Sequence, residues 1–327
     1  MKCLLFTDLH LGIHNNSDIW LEKSILLAKT MSDYGTKHNI KNIICLGDFF
    51  NDRRSLNTKT IDTAHNFIEI LKDFNLYVII GNHDTYFKNT SEVHSLRMFN
   101  GYEHVTIVND RFNIENITLV SWGSQSTHKD DNKVLMGHFE INGHKMNNSM
   151  VVEHAELNPK DFSEYDIVLS GHFHTPSKGN NINYIGSCMP FTFNDVDSSR
   201  GFYEFDSTTL DLKFIEFNDA PKYVIQYSDK EINKNKITNN IVKLVYVNDV
   251  STENADLLLA DIQSLNPLFL FTEFKNVNSD EFISQDDVSF ELKDNMQIFN
   301  QYIDKLKLPE YIQIDKLKSL LNSLNES

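Results

Sequence analysis

Cysteine is scarce in this chain, and it has no long apolar run and no excess of basic residues. Only three of the 327 residues are cysteines (Cys3, Cys45 and Cys188), and their wide separation predicts free thiols in a reducing cytoplasm. No apolar run approaches the roughly 18 residues that span a bilayer. The N-terminal run reaches Asp8 too early for a signal peptide. We therefore expect a cytoplasmic protein with no membrane partner.

The charge balance is acidic, with 46 Asp and Glu against 30 Lys and Arg and a formal net charge of −16. This balance argues against a surface that grips nucleic acid by bulk electrostatics alone. It leaves nucleic acid open as a substrate, because carboxylates that bind metals add to the negative count and a partner subunit can supply a basic channel. The length and composition are those of a globular protein with one large core and room for a small second domain.

The first 120 residues alternate short apolar runs with amphipathic patterns. The predicted elements are strands over 2–8, 42–48 and 76–82 and helices over 17–38 and 58–73. Continuous apolar strands separated by helices are typical of a parallel sheet that is covered on both faces. Asp8, Asp48 and Asn82 stand at the carboxyl ends of the three strands, where open α/β sheets build their sites.

Short strand-like runs with fewer helices follow between residues 105 and 217. They are TLVSW, KVLMGHFEI, DIVLSGH, INYIG, GFYEFD and LKFIEF. This texture predicts a second sheet packed on the first. A boundary near Asp219-Ala220-Pro221 divides the chain into 1–219, a small α/β domain over 220–290, and two helical patterns over 291–327 that Pro309 separates. Within the small domain the sequence predicts strands at 222–227, 241–247 and 268–274 and a helix over 252–265.

Polar residues at predicted strand ends form one constellation. Its members are Asp8, His10, Asp48, Asn82, His83, His138, His172 and His174. Carboxylate, carboxamide and imidazole ligands suit Mn²⁺, Fe or Zn²⁺, and the lack of cysteine argues against a structural zinc site. Two ions roughly 3.5–4 Å apart need a bridging carboxylate, for which Asp48 is the natural candidate. In DLH and HFH, the alternation of an extended chain would point both ligands to one side.

Other interpretations of single members stay open at this stage. Asp48 alone could cap a turn, and Asn82 could occupy a left-handed turn beside Gly81. His83 lies next to a candidate ligand without having to be one. It could protonate a leaving oxygen or stabilise charge that develops on a phosphate.

The motifs DLHLG, GDFF, GNHD, GHFE and GHFH, in this order, resemble those of the calcineurin-like metallophosphoesterases. DLHLG and the two-domain length resemble the SbcD-type DNA repair nucleases within that family, and GDFFNDRRSLNTKT, GHFEING and RGFYEFD resemble its phage branch. The resemblance covers roughly residues 1–220. It implies a four-layer α/β/β/α sandwich with a small α/β cap domain that faces DNA and with C-terminal helices.

The same resemblance implies roles for the individual residues. One metal would be held by Asp8, His10, Asp48 and His174, the second by Asp48, Asn82, His138 and His172, and His83 would be the catalytic histidine. The family pattern further implies two Mn²⁺ ions, with Mg²⁺ as the other candidate, and exonuclease and endonuclease activity on DNA.

The resemblance also implies partners. These are an SbcC-type ABC ATPase with a coiled coil, gripped by the C-terminal helices, and a second copy of the chain in a homodimer. The alternative for the predicted helices at 296–324 is that they pack against their own domain. A phage-encoded chain of this type would work in the host cytoplasm.

One departure and three competing functions remain. Some family members carry a histidine where this chain has Asn51, which leaves the balance between exonuclease and endonuclease activity open. The metal motifs also fit a small-substrate phosphodiesterase of the cyclic nucleotide type. A protein Ser/Thr phosphatase is disfavoured by the shifted Asp52-Arg53 pair and by Asp84, and a non-catalytic scaffold is disfavoured because no ligand is missing.

Overall fold

The computed structural model of the chain describes residues 1–87, 90–124, 132–146, 150–247 and 250–275. All of them fall within one compact unit, Met1–Asp280, and the other unit is Glu281–Ser327. The predicted helices within 291–327 and the end of the predicted 220–290 domain lie outside the described residues. The division of the chain at 219 and 290 therefore stays a prediction.

The described residues form fifteen strands and five α-helical segments. The strands are β1 (Lys2–Phe6), β2 (Asn42–Cys45), β3 (Asn75–Ile79), β4 (Val105–Val108), β5 (Arg111–Ile114), β6 (Ile117–Val120), β7 (Val134–His138), β8 (Ile167–Gly171), β9 (Ser177–Gly179), β10 (Ile182–Tyr184), β11 (Gly201–Asp206), β12 (Asp211–Glu216), β13 (Tyr223–Tyr227), β14 (Ile241–Val247) and β15 (Phe269–Lys275). The helical segments are α1 (Ile13–Asn16), α2 (Asp18–Lys37), α3 (Thr58–Ile70), α4 (Lys234–Ile237) and α5 (Thr252–Ser264).

Two six-stranded mixed sheets form the main body. The first has the order β12-β11-β1-β2-β3-β4, and the second has the order β5-β6-β7-β8-β10-β9. Strands β1 to β4 run parallel in the first sheet, as do β6, β7, β8 and β10 in the second. Their apolar runs are continuous because each sheet is covered on both faces, and every residue of β7 and β8 is buried.

Three apolar clusters hold these layers together. The first packs α2 and α3 on the outer face of the first sheet, with Phe67 and Met31 among its members. The second lies between the two sheets and includes Leu5 from β1 and Met136 from β7. The third covers the outer face of the second sheet, where the described residues supply loops and a 3₁₀ turn at Pro159–Phe162.

The mixed α/β fold with a second sheet packed on the first is confirmed. The prediction that GFYEFD and LKFIEF belong to the second sheet is wrong, because β11 pairs antiparallel with β1 and β12 pairs with β11 in the first sheet. The apolar pattern of a strand does not specify which sheet receives it. Pairing with β11 gives β1 a partner on both sides, which the predicted βαβ order alone left open.

A smaller sheet of three parallel strands follows, in the order β13-β14-β15. Its strands and α5 lie where the sequence predicts strands at 222–227, 241–247 and 268–274 and a helix at 252–265. The side chain of Ser251 caps α5 by accepting a hydrogen bond from the Asn254 backbone N–H. Within the described ranges, every helix is either too short or too polar to cross a bilayer.

Candidate metal centre

The eight residues of the predicted constellation lie at, or in the loops just after, the carboxyl ends of five parallel strands. Asp8 and His10 follow β1, Asp48 follows β2, and Asn82 and His83 follow β3. In the second sheet His138 is the last residue of β7, and His172 and His174 follow β8. Because the carboxyl ends of parallel strands meet at one edge, the two sheets deliver their loops to the same place.

The first group of side chains is Asp8, His10 and His174, whose ligand atoms all lie within 4.8 Å of one another. The Nε2 atoms of His10 and His174 are 3.0 Å apart. Asp8 Oδ1 lies 3.7 Å from the first of these nitrogens and 3.8 Å from the second. Asp8 Oδ1 is buried and has no hydrogen-bond partner among the described residues. A buried carboxylate oxygen without a donor calls for a cation.

The second group is Asp48, His138 and His172, with Asn82 between the two histidines. Asn82 Oδ1 is 2.9 Å from His138 Nε2 and 2.9 Å from His172 Nδ1. The other ring nitrogen of His138 lies 2.8 Å from Leu46 O, so Nδ1–H donates and Nε2 presents its lone pair to the site. Metal-binding histidines commonly have this arrangement.

Asp48, a member of the second group, also faces the first group. Its Oδ2 is 3.7 Å from His10 Nε2 in the first group and 3.3 Å from His138 Nε2 in the second. Its Oδ1 accepts a hydrogen bond of 2.8 Å from the His83 backbone N–H. One carboxylate oxygen therefore faces both groups, as a bridging ligand must.

His83 also reaches this place, and its ring lies edge-on to that of His10 with the centroids 4.8 Å apart. His10, Asp48 and His83 form a third set of potential ligand atoms within 4.8 Å. His83 Nδ1 lies 2.7 Å from the backbone carbonyl of Asn51, so Nδ1–H donates there and Nε2 is left to face the site. Because a backbone carbonyl accepts this bond, it does not depend on the side chain at position 51.

Four of the candidate ligands have left-handed backbone conformations that non-glycine residues rarely adopt. The φ angles are 51° at Asp8, 45° at His10, 52° at Asp48 and 88° at His172. Conformations of this kind cost about 1–3 kcal/mol each and cluster at functional sites. Asn82 is absent from the described residues with positive φ, so the left-handed turn considered for it is wrong.

These angles also correct the explanation offered for the DLH and HFH spacing. Strands β1 and β8 end at Phe6 and Gly171, before the first ligand of each motif. Asp8, His10 and His172 therefore do not alternate along an extended chain. The backbone instead turns through left-handed residues, and this turning brings both side chains of each motif to the site.

The carboxylates and His172 have the protonation that cations require. Burial alone would raise the pKa of Asp8, but the nearby imidazole of His10 and the charges of His138 and His174 lower it to about 2. The same opposition, with His138 as the main partner, holds the pKa of Asp48 well below its usual range. Burial and the neighbouring His138 charge lower the pKa of His172 to about 3. Ionised carboxylates and neutral imidazoles are the forms that bind metals. Burial lowers the pKa of His138, but the Asp48 carboxylate outweighs burial and raises it to about 9, so a cation has to displace the proton of His138.

Two motif glycines are required by close approach. A Cβ on Gly47, whose φ is 101°, would lie 2.4 Å from His138 Nδ1. A Cβ on Gly81 would lie 2.2 Å from Asp48 Oδ1. The glycines in GD and GNHD therefore make room for the ligands beside them.

Asp84 is a residue whose role the sequence analysis missed. Its buried carboxylate accepts hydrogen bonds from the backbone N–H groups of Phe49, Phe50 and Gly81, at 3.2, 2.9 and 2.9 Å. Asp84 thereby joins the loop after β2 to the loop after β3. Burial and the neighbouring Asp48 raise the pKa of Asp84 to about 7. Its place at the end of GNHD, at the same strand end as Asn82, was the signal available.

Replacing Asp84 by alanine should destabilise the protein by about 3 kcal/mol or more, because three buried backbone donors lose their acceptor. Urea unfolding of both proteins in EDTA would measure the difference. Asp62→Ala, which removes a carboxylate from the surface of α3, is the control and should change the free energy of unfolding by less than about 0.5 kcal/mol. Equal stability of Asp84→Ala and the parent would show that the two loops do not depend on this carboxylate.

Trp122 is a second residue that the sequence analysis missed. It follows β6 at the same edge of the second sheet, and only 9% of it is exposed. Its ring lies 5.2 Å from that of His172 and 6.0 Å from that of His138, centroid to centroid. The strand-end rule that selected the ligands would have selected it, but an indole cannot bind a cation through a lone pair. It packs against two candidate ligands instead.

The residues present fit a pair of divalent cations. The orphaned Asp8 oxygen, the shared Asp48 carboxylate and the imidazole lone pairs all face inward. Carboxylate, amide and imidazole together are the donors that hard-to-borderline divalent ions take. All three cysteines are buried free thiols, as predicted, and none of them belongs to these groups.

Comparison with known proteins places these observations in a family. The model of the calcineurin-like phosphoesterases matches residues 1–176. Exonuclease subunit 1 of Enterobacteria phage T4 is 29% identical over 329 aligned residues, which cover 95% of this chain and 92% of the phage protein.

Solved structures show weaker similarity. An archaeal phosphodiesterase is 14% identical, with 66% of this chain and 100% of that chain covered and a TM-score of 0.34. A Pseudomonas putida nuclease is 14% identical, with 64% of this chain and 86% of that chain covered and a TM-score of 0.32.

The family match spans more than half of the chain and contains all the candidate ligands. The chain therefore belongs to the calcineurin-like phosphoesterases and is a metal-dependent hydrolase of phosphate esters.

Proposed function

We propose that this chain is a DNA nuclease that cleaves phosphodiester bonds with two divalent cations, Mn²⁺ in preference to Mg²⁺. The observation that carries the proposal is Asp48 Oδ2, which faces His10 Nε2 of the first group at 3.7 Å and His138 Nε2 of the second at 3.3 Å. The similarity to a phage protein named as an exonuclease subunit supports DNA as the substrate.

The ligand sets in this proposal follow the two groups. Asp8, His10, Asp48 and His174 would hold one cation, and Asp48, Asn82, His138 and His172 would hold the other. When bound, such a pair of cations polarises the phosphate and lowers the pKa of a water so that it can attack in line. Two hydrogen bonds to Oδ2 hold Asp8 in place. The Thr7 hydroxyl donates one at 2.7 Å and the His172 backbone N–H donates the other at 3.1 Å.

His83 is the catalytic residue in this proposal. Its Nδ1–H bond to Asn51 O and its backbone bond to Asp48 fix the ring with Nε2 toward the centre. From there it can bring a proton to the leaving 3′-oxygen or stabilise the charge that develops on the phosphate. Proton transfer uses the doubly protonated ring, and the proton that His83 Nε2 gives to the 3′-oxygen is replaced by the one that the attacking water releases.

Two arginines at the edge of the site support a polyanionic substrate. Arg53 and Arg54 follow Asn51 in the loop after β2, and Arg53 lies close enough to His83 for its charge to lower the pKa of that imidazole, which burial lowers most. Neither guanidinium forms an ion pair within the part of the chain described here, although the chain carries a net charge of −16. Arginines without such an ion pair can bind the phosphates of a DNA strand that neighbour the one that is cleaved.

Arg53→Ala should raise the KM for single-stranded DNA by about fivefold and reduce the dependence of binding on salt by about one phosphate contact. The rate on bis-p-nitrophenyl phosphate, which has no second phosphate, should stay unchanged. Lys72→Ala removes the same unit charge at the opposite end of the sheet and serves as the control. A parallel loss on both substrates would assign Arg53 to the metal centre rather than to the DNA strand.

The partners remain part of the proposal. We infer that the chain is a nuclease subunit, with 220–290 as a DNA-facing cap and 291–327 as the attachment to an SbcC-type ATPase. We also infer a homodimer. Tyr86, Phe87 and Val93, near the site, are exposed by 55%, 50% and 46%, and a second copy would cover such an apolar patch. Sedimentation of the purified chain would show whether it dimerises. A monomer at micromolar concentration would exclude this surface as a dimer interface.

The proposed function is tested by incubating linear double-stranded and single-stranded DNA with the purified chain and Mn²⁺, Mg²⁺ or EDTA. Bis-p-nitrophenyl phosphate and cyclic AMP run alongside. Degradation of DNA that needs Mn²⁺ supports the nuclease. Hydrolysis of the small esters with DNA left intact, even after an SbcC-type ATPase is added, would assign the chain to the small-substrate phosphodiesterases.

A further inference from the structure

One segment of the main body, Cys188 to Val196, lies between the candidate metal centre and the three-stranded sheet. We call residues 188–196 the connecting segment. At its start, the Cys188 backbone N–H donates to Thr7 O at 3.2 Å, one residue before Asp8. The Phe191 ring then lies edge-on to two candidate ligands, with centroids 5.6 Å from His10 and 5.7 Å from His174. The segment therefore forms one wall of the first ligand group.

The three-stranded sheet touches the other side of the same segment. The hydroxyl of Tyr223, the first residue of β13, donates to Phe191 O at 2.5 Å. The ring of Tyr223 lies 5.0 Å from that of Phe193, and Lys243 Nζ of β14 stands 4.6 Å above the Phe193 ring. Phe271 of β15 completes this contact at 5.9 Å, so all three strands of the small sheet meet the segment.

The segment is held in one shape from within. The Asp195 carboxylate accepts hydrogen bonds from the backbone N–H groups of Phe191 and Thr192, at 2.8 and 2.9 Å. Arg200 forms an ion pair with the other oxygen of Asp195, and only 3% of Arg200 and 5% of Asp195 are exposed. Because the turn is braced by a buried pair, a displacement at Phe191 O must move the Phe191 ring as well.

Tyr223 has a second contact that fixes its hydroxyl. The single proton of the hydroxyl goes to Phe191 O, so the contact of 3.2 Å with His14 Nε2 requires His14 to donate. His14 belongs to α1, which begins three residues after His10. The hydroxyl thus ties the start of β13 to two parts of the chain that flank the first ligand group.

We propose that Tyr223 is a positioning residue for the metal centre. Through Phe191 it holds the imidazoles of His10 and His174, so that the placement of the three-stranded sheet sets the affinity for the cation held by Asp8, His10 and His174. The proposal rests on the proposed function, because it takes these three residues as ligands. It goes further by coupling the three-stranded sheet, which contributes no candidate ligand, to one of the two cations.

The physical basis is the orientation of an imidazole lone pair. His10 Nδ1 is buried and has no partner within the described part of the chain, and packing against rings therefore has to orient it. Removing an outer contact of a metal-binding histidine commonly lowers metal affinity by about 10–100-fold. Tyr223 acts through Phe191 and at one remove, so we expect a loss at the lower end of that range.

The test is Tyr223→Phe in the full-length chain, which removes the hydroxyl and keeps the ring against Phe193. Tyr246→Phe is the matched control: its buried hydroxyl donates to Ala255 O at 3.0 Å, a bond that joins β14 to α5 and does not touch the connecting segment. Mn²⁺ binding is followed by the electron paramagnetic resonance signal of the free ion. We expect one of two sites to weaken by about tenfold in Tyr223→Phe and both to hold in Tyr246→Phe.

Rescue and a second variant keep the test decisive. At saturating Mn²⁺ the turnover of bis-p-nitrophenyl phosphate by Tyr223→Phe should return toward that of the parent, and Phe191→Leu should weaken the same site. Two unchanged sites in both variants would overturn the positioning role. So would an equal loss in Tyr246→Phe, which would report general loosening. A parent chain that binds no Mn²⁺ would overturn the proposed function and the positioning role together.

Discussion

Replacing Asp48 by alanine should lower metal-dependent hydrolysis by about a thousandfold or more, on bis-p-nitrophenyl phosphate and on DNA alike. Asp48 Oδ2 faces both ligand groups, whereas each other candidate belongs to one of them or lies beside it. Its loss therefore removes a ligand from both cations at once, and the reaction loses the electrostatic stabilisation that carries most of the rate in phosphoryl transfer. Initial rates in saturating Mn²⁺ would measure the effect.

The control for this variant is Asp62→Ala, which removes an exposed carboxylate from α3 and should leave the rate unchanged. Mn²⁺ binding should fall at both sites in Asp48→Ala, while far-ultraviolet circular dichroism stays the same. Retention of two tight sites would show that Asp48 does not bridge. In that case the carboxylate would serve mainly to join the loops through its bond from the His83 backbone N–H.

Replacing His83 by alanine should leave both Mn²⁺ sites intact and lower turnover by about 10²–10⁴-fold, the usual contribution of a positioned acid or base. His83 Nδ1–H donates to Asn51 O, and its Nε2 is not needed to complete either ligand set. The measurement pairs a Mn²⁺ titration with kcat on bis-p-nitrophenyl phosphate. The KM should change little, because the effect lies in the chemical step.

The matched control is His104→Ala, a partly buried histidine whose Nε2 lies 3.2 Å from Ile68 O, at the amino end of β4. It should change neither metal binding nor turnover. The geometry makes the His83 experiment sharp, because His83 also forms a group with His10 and Asp48. Loss of one Mn²⁺ site in His83→Ala would make it a ligand, and normal turnover would remove it from the mechanism.

Much of the fold follows from the pattern of the sequence, and the exceptions have physical reasons. Apolar runs and helical periods place β1, β2, β3, α2, α3 and the small sheet within a few residues. Strand ends are less predictable, because Asp8 and Asp48 leave the sheet through left-handed residues that apolar periodicity does not reveal. Strand β11 joins the first sheet because the edge of β1 is free to pair. Which edge is free depends on how the strands are assembled and cannot be read from the apolar pattern of β11.

The sequence predicts which residues form the candidate site, but it does not predict the backbone conformation that brings them together. Strand-end position and residue type together pick out all eight members. The way each motif turns is a different matter, since His172 reaches the site through a φ of 88° rather than through strand alternation. Asp84 and Trp122 were missed because neither is a candidate ligand. Asp84 accepts hydrogen bonds from backbone N–H groups and Trp122 packs against imidazole rings, and residue type alone does not indicate such contacts.

The pairing of β1 with β11 has a consequence for how the chain folds during synthesis. Until Gly201–Asp206 has left the ribosome, the apolar β1 is an edge strand with unpaired backbone groups, although its partner β2 was made long before. Contacts that span about two hundred residues close slowly, and an open edge favours aggregation in the meantime. Chains truncated before residue 201 should therefore collect in the insoluble fraction, even though every candidate ligand is already present in them.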